Sequence, residues 1–116
     1  MVGQRIYVPS RGDIAWVTFS PTAGHEQAGR RPALIISPRA YNAKTGLCLA
    51  CPITNQAKGY PFETRLAGVA GVSGVILADH VRSVDWSARR TEFLCKVPSA
   101  VLSEVLAKLV SLLTND

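Results

Sequence analysis

The sequence predicts a mainly β fold, a small closed or half-closed barrel of about six or seven short strands finished by a C-terminal α-helix. Three observations predict it. Short runs rich in β-branched and aromatic residues recur from Ile14 to Val97. Glycine, proline and polar clusters interrupt these runs about every eight to twelve residues. After Pro98 the apolar period changes from that of a strand to that of a helix.

Each element follows from its own residues. Ile14 to Ser20 reads as a strand after the Arg11-Gly-Asp13 turn and is ended by Pro21-Thr-Ala-Gly24. The segment Gln27-Ala-Gly-Arg-Arg-Pro32 puts two arginines at the mouth of the next strand. That strand, Ala33 to Ser37, is a continuous apolar run closed by Pro38, as expected of a central strand buried on both faces. Leu47 to Ile53 follows the Lys44-Thr-Gly46 turn, and Pro52 places an edge or a bulge there. Phe62 to Leu66 follows the turn Lys58-Gly-Tyr-Pro61, and a glycine-rich hairpin from Ala67 to Gly74 leads into Val75-Ile-Leu77. Val81 to Trp86 and Glu92 to Val97 are two further strands joined by Ser87-Ala-Arg-Arg90. In the last segment Val101, Leu102, Val105, Leu106, Leu109, Val110, Leu112 and Leu113 share a wide helical face. Glu104 and Lys108 form an i,i+4 pair on the other side, and Ser99 is the expected N-cap. Packing against the barrel accounts for most of that apolar face, and a dimer interface is a second use for it.

The 116 residues match one domain spanning 1–116, enough for a single core. A hydrophobic content of 47% and a charged content of 18% describe an ordinary globular chain. Thirteen Lys and Arg against eight Asp and Glu leave a net charge of +5, which favours an anionic partner such as nucleic acid. Met1 to Asp13 has no apolar segment, so no signal peptide is expected, and Val69 to Ala78 is too short and too rich in small residues to span a bilayer. The expected location is the cytoplasm. Cys48, Cys51 and Cys95 are an odd number of thiols, read as free. Cys48 and Cys51 have CxxC spacing, but in a strand positions i and i+3 point to opposite faces. With no second ligand pair, neither a metal nor another cofactor is expected.

No serine–histidine–carboxylate order, phosphate-binding loop or dinucleotide fingerprint is present. Polar loops between apolar strands instead carry Glu26, Arg30, Arg31, Asn42, Lys44, Thr54, Gln56, Lys58 and Tyr60. Cations for phosphates, amides for base edges and an aromatic ring for stacking suit single-stranded nucleic acid.

These loops carry a resemblance. Tyr7-Val-Pro9, Gly12-Asp13, Trp16-Val17, Phe19, Pro21-Thr22, Glu26-Gln-Ala-Gly29, Arg31-Pro32, Ser37-Pro38, Tyr41-Asn42, Lys44-Thr-Gly46, Pro52, Thr54, Gln56, Lys58-Gly-Tyr-Pro-Phe-Glu63 and Ala78-Asp79 resemble the MazF/PemK class of toxin–antitoxin endoribonucleases, the enterobacterial MazF type in particular. The resemblance implies an SH3-like barrel with a C-terminal helix and a homodimer. It implies metal-free cleavage of single-stranded RNA at a short sequence, and inhibition by a MazE-like antitoxin whose acidic segment fills the groove. Loops near 18–30 and 54–60 would frame that groove.

By the same resemblance Arg31 is the catalytic arginine, Thr54 the catalytic threonine and Glu26 the preferred base. His25 competes with Glu26 because imidazole titrates near neutrality; enterobacterial MazF has no histidine at that position, which ranks it second. Arg30, Asn42, Lys44, Asn55, Gln56, Lys58, Tyr60 and His80 are the expected RNA contacts. Asn55 and His80 stand where the enterobacterial pattern has threonine and glutamine, so the recognised sequence is this chain's own. The alternatives are a non-catalytic nucleic-acid-binding barrel and a gyrase-inhibiting toxin of the CcdB kind. The ending Leu113-Thr-Asn-Asp116 lacks the Trp-Gly-Ile of the latter.

Overall fold

The computed structural model describes residues 6–19 and 24–116. Ser20, where the first expected strand ends, the Pro21-Thr22 motif, most of the turn through Gly24 and the segment before Ile6 lie outside the described residues. The strands are β1 (Asp13–Thr18), β2 (Arg30–Ile35), β3 (Leu47–Thr54), β4 (Glu63–Val69), β5 (Val72–Leu77), β6 (Arg82–Asp85) and β7 (Glu92–Lys96). Helix α1 (Arg39–Thr45) joins β2 to β3, a 3-10 turn spans Ala78–His80, and α2 (Ser99–Thr114) closes the chain. The seven strands among the described residues form one curled antiparallel sheet in the order β4-β5-β3-β2-β1-β7, with β6 also paired to β3.

Strand alternation gives this sheet two cores. Ile14, Leu34, Ile36, Cys51, Ile53, Leu66, Ile76 and Val105 fill one side. Ala15, Val17, Phe19, Ala33, Ile35, Cys48, Ala50 and Val84 fill the other, with Tyr7 and Trp86 against them. The run from Ala33 to Ile36 feeds both cores by turns, as a central strand must. Cys48 and Cys51 are free and lie in opposite cores. Burial pushes both thiols up to about 12, helped at Cys51 by the nearby Asp79 carboxylate. Helix α2 lays Val101, Leu102, Val105, Leu106 and Leu109 on the first core, and the expected Glu104–Lys108 pair is present at 2.9 Å. Val110, Leu112 and Leu113, toward its end, stay exposed. No helix among the described residues is long and apolar enough to cross a membrane.

Three expectations need correction. Pro52 is not on an outer strand or in a bulge: it is buried in β3, inside the sheet and opposite Ala33 of β2. Leu49 O accepts from Ile36 N, so by alternation the Pro52 nitrogen faces the far edge of β3. On that edge β6 pairing stops at Ala50 and β5 pairing begins at Ile53. A residue without a donor is tolerated at that gap. The second correction is α1, which replaces an expected loop. Pro38 stands at its N-cap and Gly46, at φ 75, ends it in the left-handed region. The third is that Pro38's counterpart on α2 is Pro98: it takes the N-cap position expected for Ser99, which is the first helical residue.

Candidate active site

Strands β2 and β3 are antiparallel neighbours with Ala33 opposite Pro52. Beyond that last pair, the same register carried two residues further sets Arg31 across from Thr54, and by alternation both share the face of Ala33. The arginine bears this out. Its Nη1 lies 3.5 Å from Ile53 O, while Nε and Nη2 donate to Ala28 O at 3.0 and 2.9 Å. These bonds use one proton from each nitrogen and leave N–H groups on both terminal nitrogens for an incoming acceptor. They also anchor the loop carrying His25, Glu26 and Gln27, which is closed at its base by Phe19 N donating to Gly29 O at 2.9 Å.

Thr54 is 8% exposed. Its Oγ accepts from Gln56 N at 3.2 Å, so its own proton remains to donate. Gly74 of β5 holds it in place: a Cβ there would sit 2.3 Å from Thr54 O and 3.0 Å from Asn55 Oδ1. Only a residue without a side chain admits this approach, and its φ of 123 favours glycine as well.

Beside the Arg31–Thr54 pair, on the same face, opens a cavity of about 300 Å³ lined by Phe19, His25, Glu26, Pro52, Asp79, His80 and Arg82. Both histidines of the chain line it. Arg82 lies over the Phe19 ring at 5.8 Å, and its Nη1 is buried without a hydrogen-bond partner among the described residues. The neighbouring loop is held by Glu63, whose Oε1 accepts from Lys58 N and Gly59 N at 3.2 and 3.0 Å and whose Oε2 accepts from Lys58 N at 3.0 Å. Lys108 of α2 donates to Glu63 O at 2.6 Å, tying loop to helix. Asn55, Gln56, Lys58 and Tyr60 are exposed on that loop.

Three expected contacts are not gathered here. Asn42 is fully buried: its Nδ2 donates to Pro9 O and Ser37 O, its Oδ1 accepts from Ser37 Oγ, and its carbonyl accepts from Trp86 Nε1. That amide is a structural hub with no group left for a ligand. Lys44 is exposed but rides on α1, at the opposite end of the β2–β3 hairpin from Thr54. Arg30 alternates to the other face from Arg31, where it donates to Thr18 Oγ at 3.0 Å and pairs with Glu92 at 2.6 Å. Sequence reasoning gave no role to Gly74, Glu63 or Arg82. A glycine inside a strand pattern was a usable signal for close backbone approach at Gly74, and Glu63 closes the Lys58–Glu63 motif; Arg82 had no signal.

Fold and site define a small basic half-barrel that presents an arginine and a hydroxyl at the open end of one hairpin. The chain belongs to the PemK-like, MazF-like toxins of type II toxin–antitoxin systems, whose family model matches residues 10–113. It is 58% identical over 83 residues to the endoribonuclease toxin MazF of Escherichia coli K12, covering 72% of this chain and 74% of that one. A crystal structure of MazF from Deinococcus radiodurans superposes with a TM-score of 0.90 at 60% identity, covering 93% of this chain and 98% of that one. A MazE–MazF complex from the same organism gives 0.82 at 55% identity, covering 93% and 97%.

Proposed function

We propose that this chain is the toxin of a type II toxin–antitoxin system, a cytoplasmic, single-domain, sequence-specific endoribonuclease that cuts single-stranded RNA without a metal. The observation that carries the reading is Arg31 beside Thr54, with donors on both and the Glu26 cavity adjoining them. The Glu26 carboxylate takes the proton of the substrate's own 2′-hydroxyl, and the freed oxygen attacks the adjacent phosphorus. The bond to the 5′ oxygen breaks, and that oxygen leaves with a proton from water in the open cleft. The products are a 2′,3′-cyclic phosphate and a 5′-hydroxyl end. Charge growing on the phosphoryl oxygens is met by the Arg31 fork and the Thr54 hydroxyl. Lys58 contacts flanking phosphate, Tyr60 stacks, and Gln56, Asn55 and His80 read bases.

The working form is a homodimer, for which exposed Val110, Leu112 and Leu113 offer apolar surface. Its inhibitor is a MazE-like antitoxin with an acidic segment that competes for the same basic groove. Purified protein in EDTA is expected to cut naked single-stranded RNA and leave cyclic phosphate ends. RNA that stays intact but bound would replace the nuclease with a binding module.

A further inference from the structure

The Arg31–Thr54 pair has a second cleft, on the opposite face of the sheet from the Glu26 cavity. Pro32 and Ile53 alternate away from Arg31 and Thr54, and with Trp16, Asn55, Gly71 and Ser73 they line a hollow of about 230 Å³. Trp16 stands opposite Pro32 in the β1–β2 register, so the ring belongs to the strand next to the pair. Asn55 follows Thr54 directly, and Gly74 lies close against the Thr54 backbone and the Asn55 side-chain oxygen. The far wall is the β4–β5 hairpin.

We propose that this cleft seats one base of the RNA strand, on the other side of the scissile phosphate from the Glu26 cavity, with Trp16 as its stacking surface and Asn55 and Ser73 at its edge. The inference rests on the nuclease reading and adds a binding subsite to it. Its lining explains the choice of ligand. Among the described residues no charged side chain borders the hollow, so neither a phosphate nor an acidic side chain of an antitoxin finds a counter-ion there. A neutral planar group finds what it needs: an indole, an amide with both donor and acceptor, and a hydroxyl. A strand laid across the hairpin mouth meets charge at Arg31, the charged Glu26 cavity on one face of the sheet and a neutral slot on the other.

An abasic walk tests this. Single abasic sites are placed in turn on either side of the cut in a cleavable oligoribonucleotide, and kcat/KM is measured for wild type, Trp16→Ala and Trp16→Phe. Loss of one stacked base is expected to cost about tenfold. Trp16→Ala on intact RNA should lose a similar factor, and at one abasic position the two losses should not multiply. Trp16→Phe should keep most of the rate. Should Trp16→Ala fail to fold, the exposed Asn55→Ala must show the same non-multiplying pattern at the same position. Losses that multiply at every position overturn the proposal. So does a Trp16 variant that resists an antitoxin peptide yet cuts every RNA as wild type does, which gives the cleft to the peptide. Wild-type protein that cuts no RNA at all fails the nuclease reading, and this inference falls with it.

Discussion

Two adjacent arginines have opposite commitments, and the difference is strand parity. Arg31 holds Ala28 O and reaches Ile53 O while keeping donors free; Arg30 spends its fork on Thr18 and Glu92. Arg31→Ala should therefore lower kcat by about 100- to 1,000-fold, the usual cost of removing a transition-state donor. Arg31→Lys should fare little better, because one ammonium cannot serve Ala28 O, Ile53 O and a phosphate together. Arg30→Ala should leave cleavage within a few-fold and stability within about 1 kcal/mol, since its partner Glu92 is exposed. Single-turnover cleavage with a parallel circular-dichroism melt checks all three. A residue list read from loops treats the pair alike. The sequence does show that Arg31 precedes a proline at a strand start, but not which partners each arginine finds.

Elements show why some of this was legible. The apolar run at 33–36 could only be a strand buried on both sides, and the parity of Cys48 and Cys51 placed them in different cores. Helix α1 spans seven residues, too few for an apolar period to emerge, and Asn42 looked like a surface amide because its burial depends on partners far along the chain. Pro52 misled for a related reason: a break in pairing on one edge is set by where β6 stops and β5 starts, which no local pattern encodes. Gly74 belongs to the same level. Gly74→Ala should displace Thr54 and Asn55 and cut kcat by at least about tenfold, as displaced catalytic groups do. Gly46→Ala supplies the control. It has a comparable positive φ with open space around it, so it should lose stability while the folded fraction retains its turnover. Equal turnover in the two folded variants would remove Gly74 from any positioning role.

Across the whole molecule, the two buried thiols make stability depend on pH at the alkaline end. An ordinary thiol titrates near about 8.5, and burial raises Cys48 and Cys51 to about 12. The folded state thus binds the proton more tightly, so their contribution is complete below about pH 8.5 and is lost as pH rises toward 12. Each thiol should add a slope of about 1.4 kcal/mol per pH unit in that window, and urea midpoints for Cys48→Ala and Cys51→Ala should fall less steeply than wild type. The partner exchange along β3 has a consequence in time rather than in energy. A ribosome delivers Arg31 and Thr54 early, but the end of β3 has no second neighbour until Val75 and Ile76 have emerged, and the core beneath waits for Val105. Domains fold as units when their chain is out. An endoribonuclease toxin is thereby unarmed for as long as its own chain is still being translated.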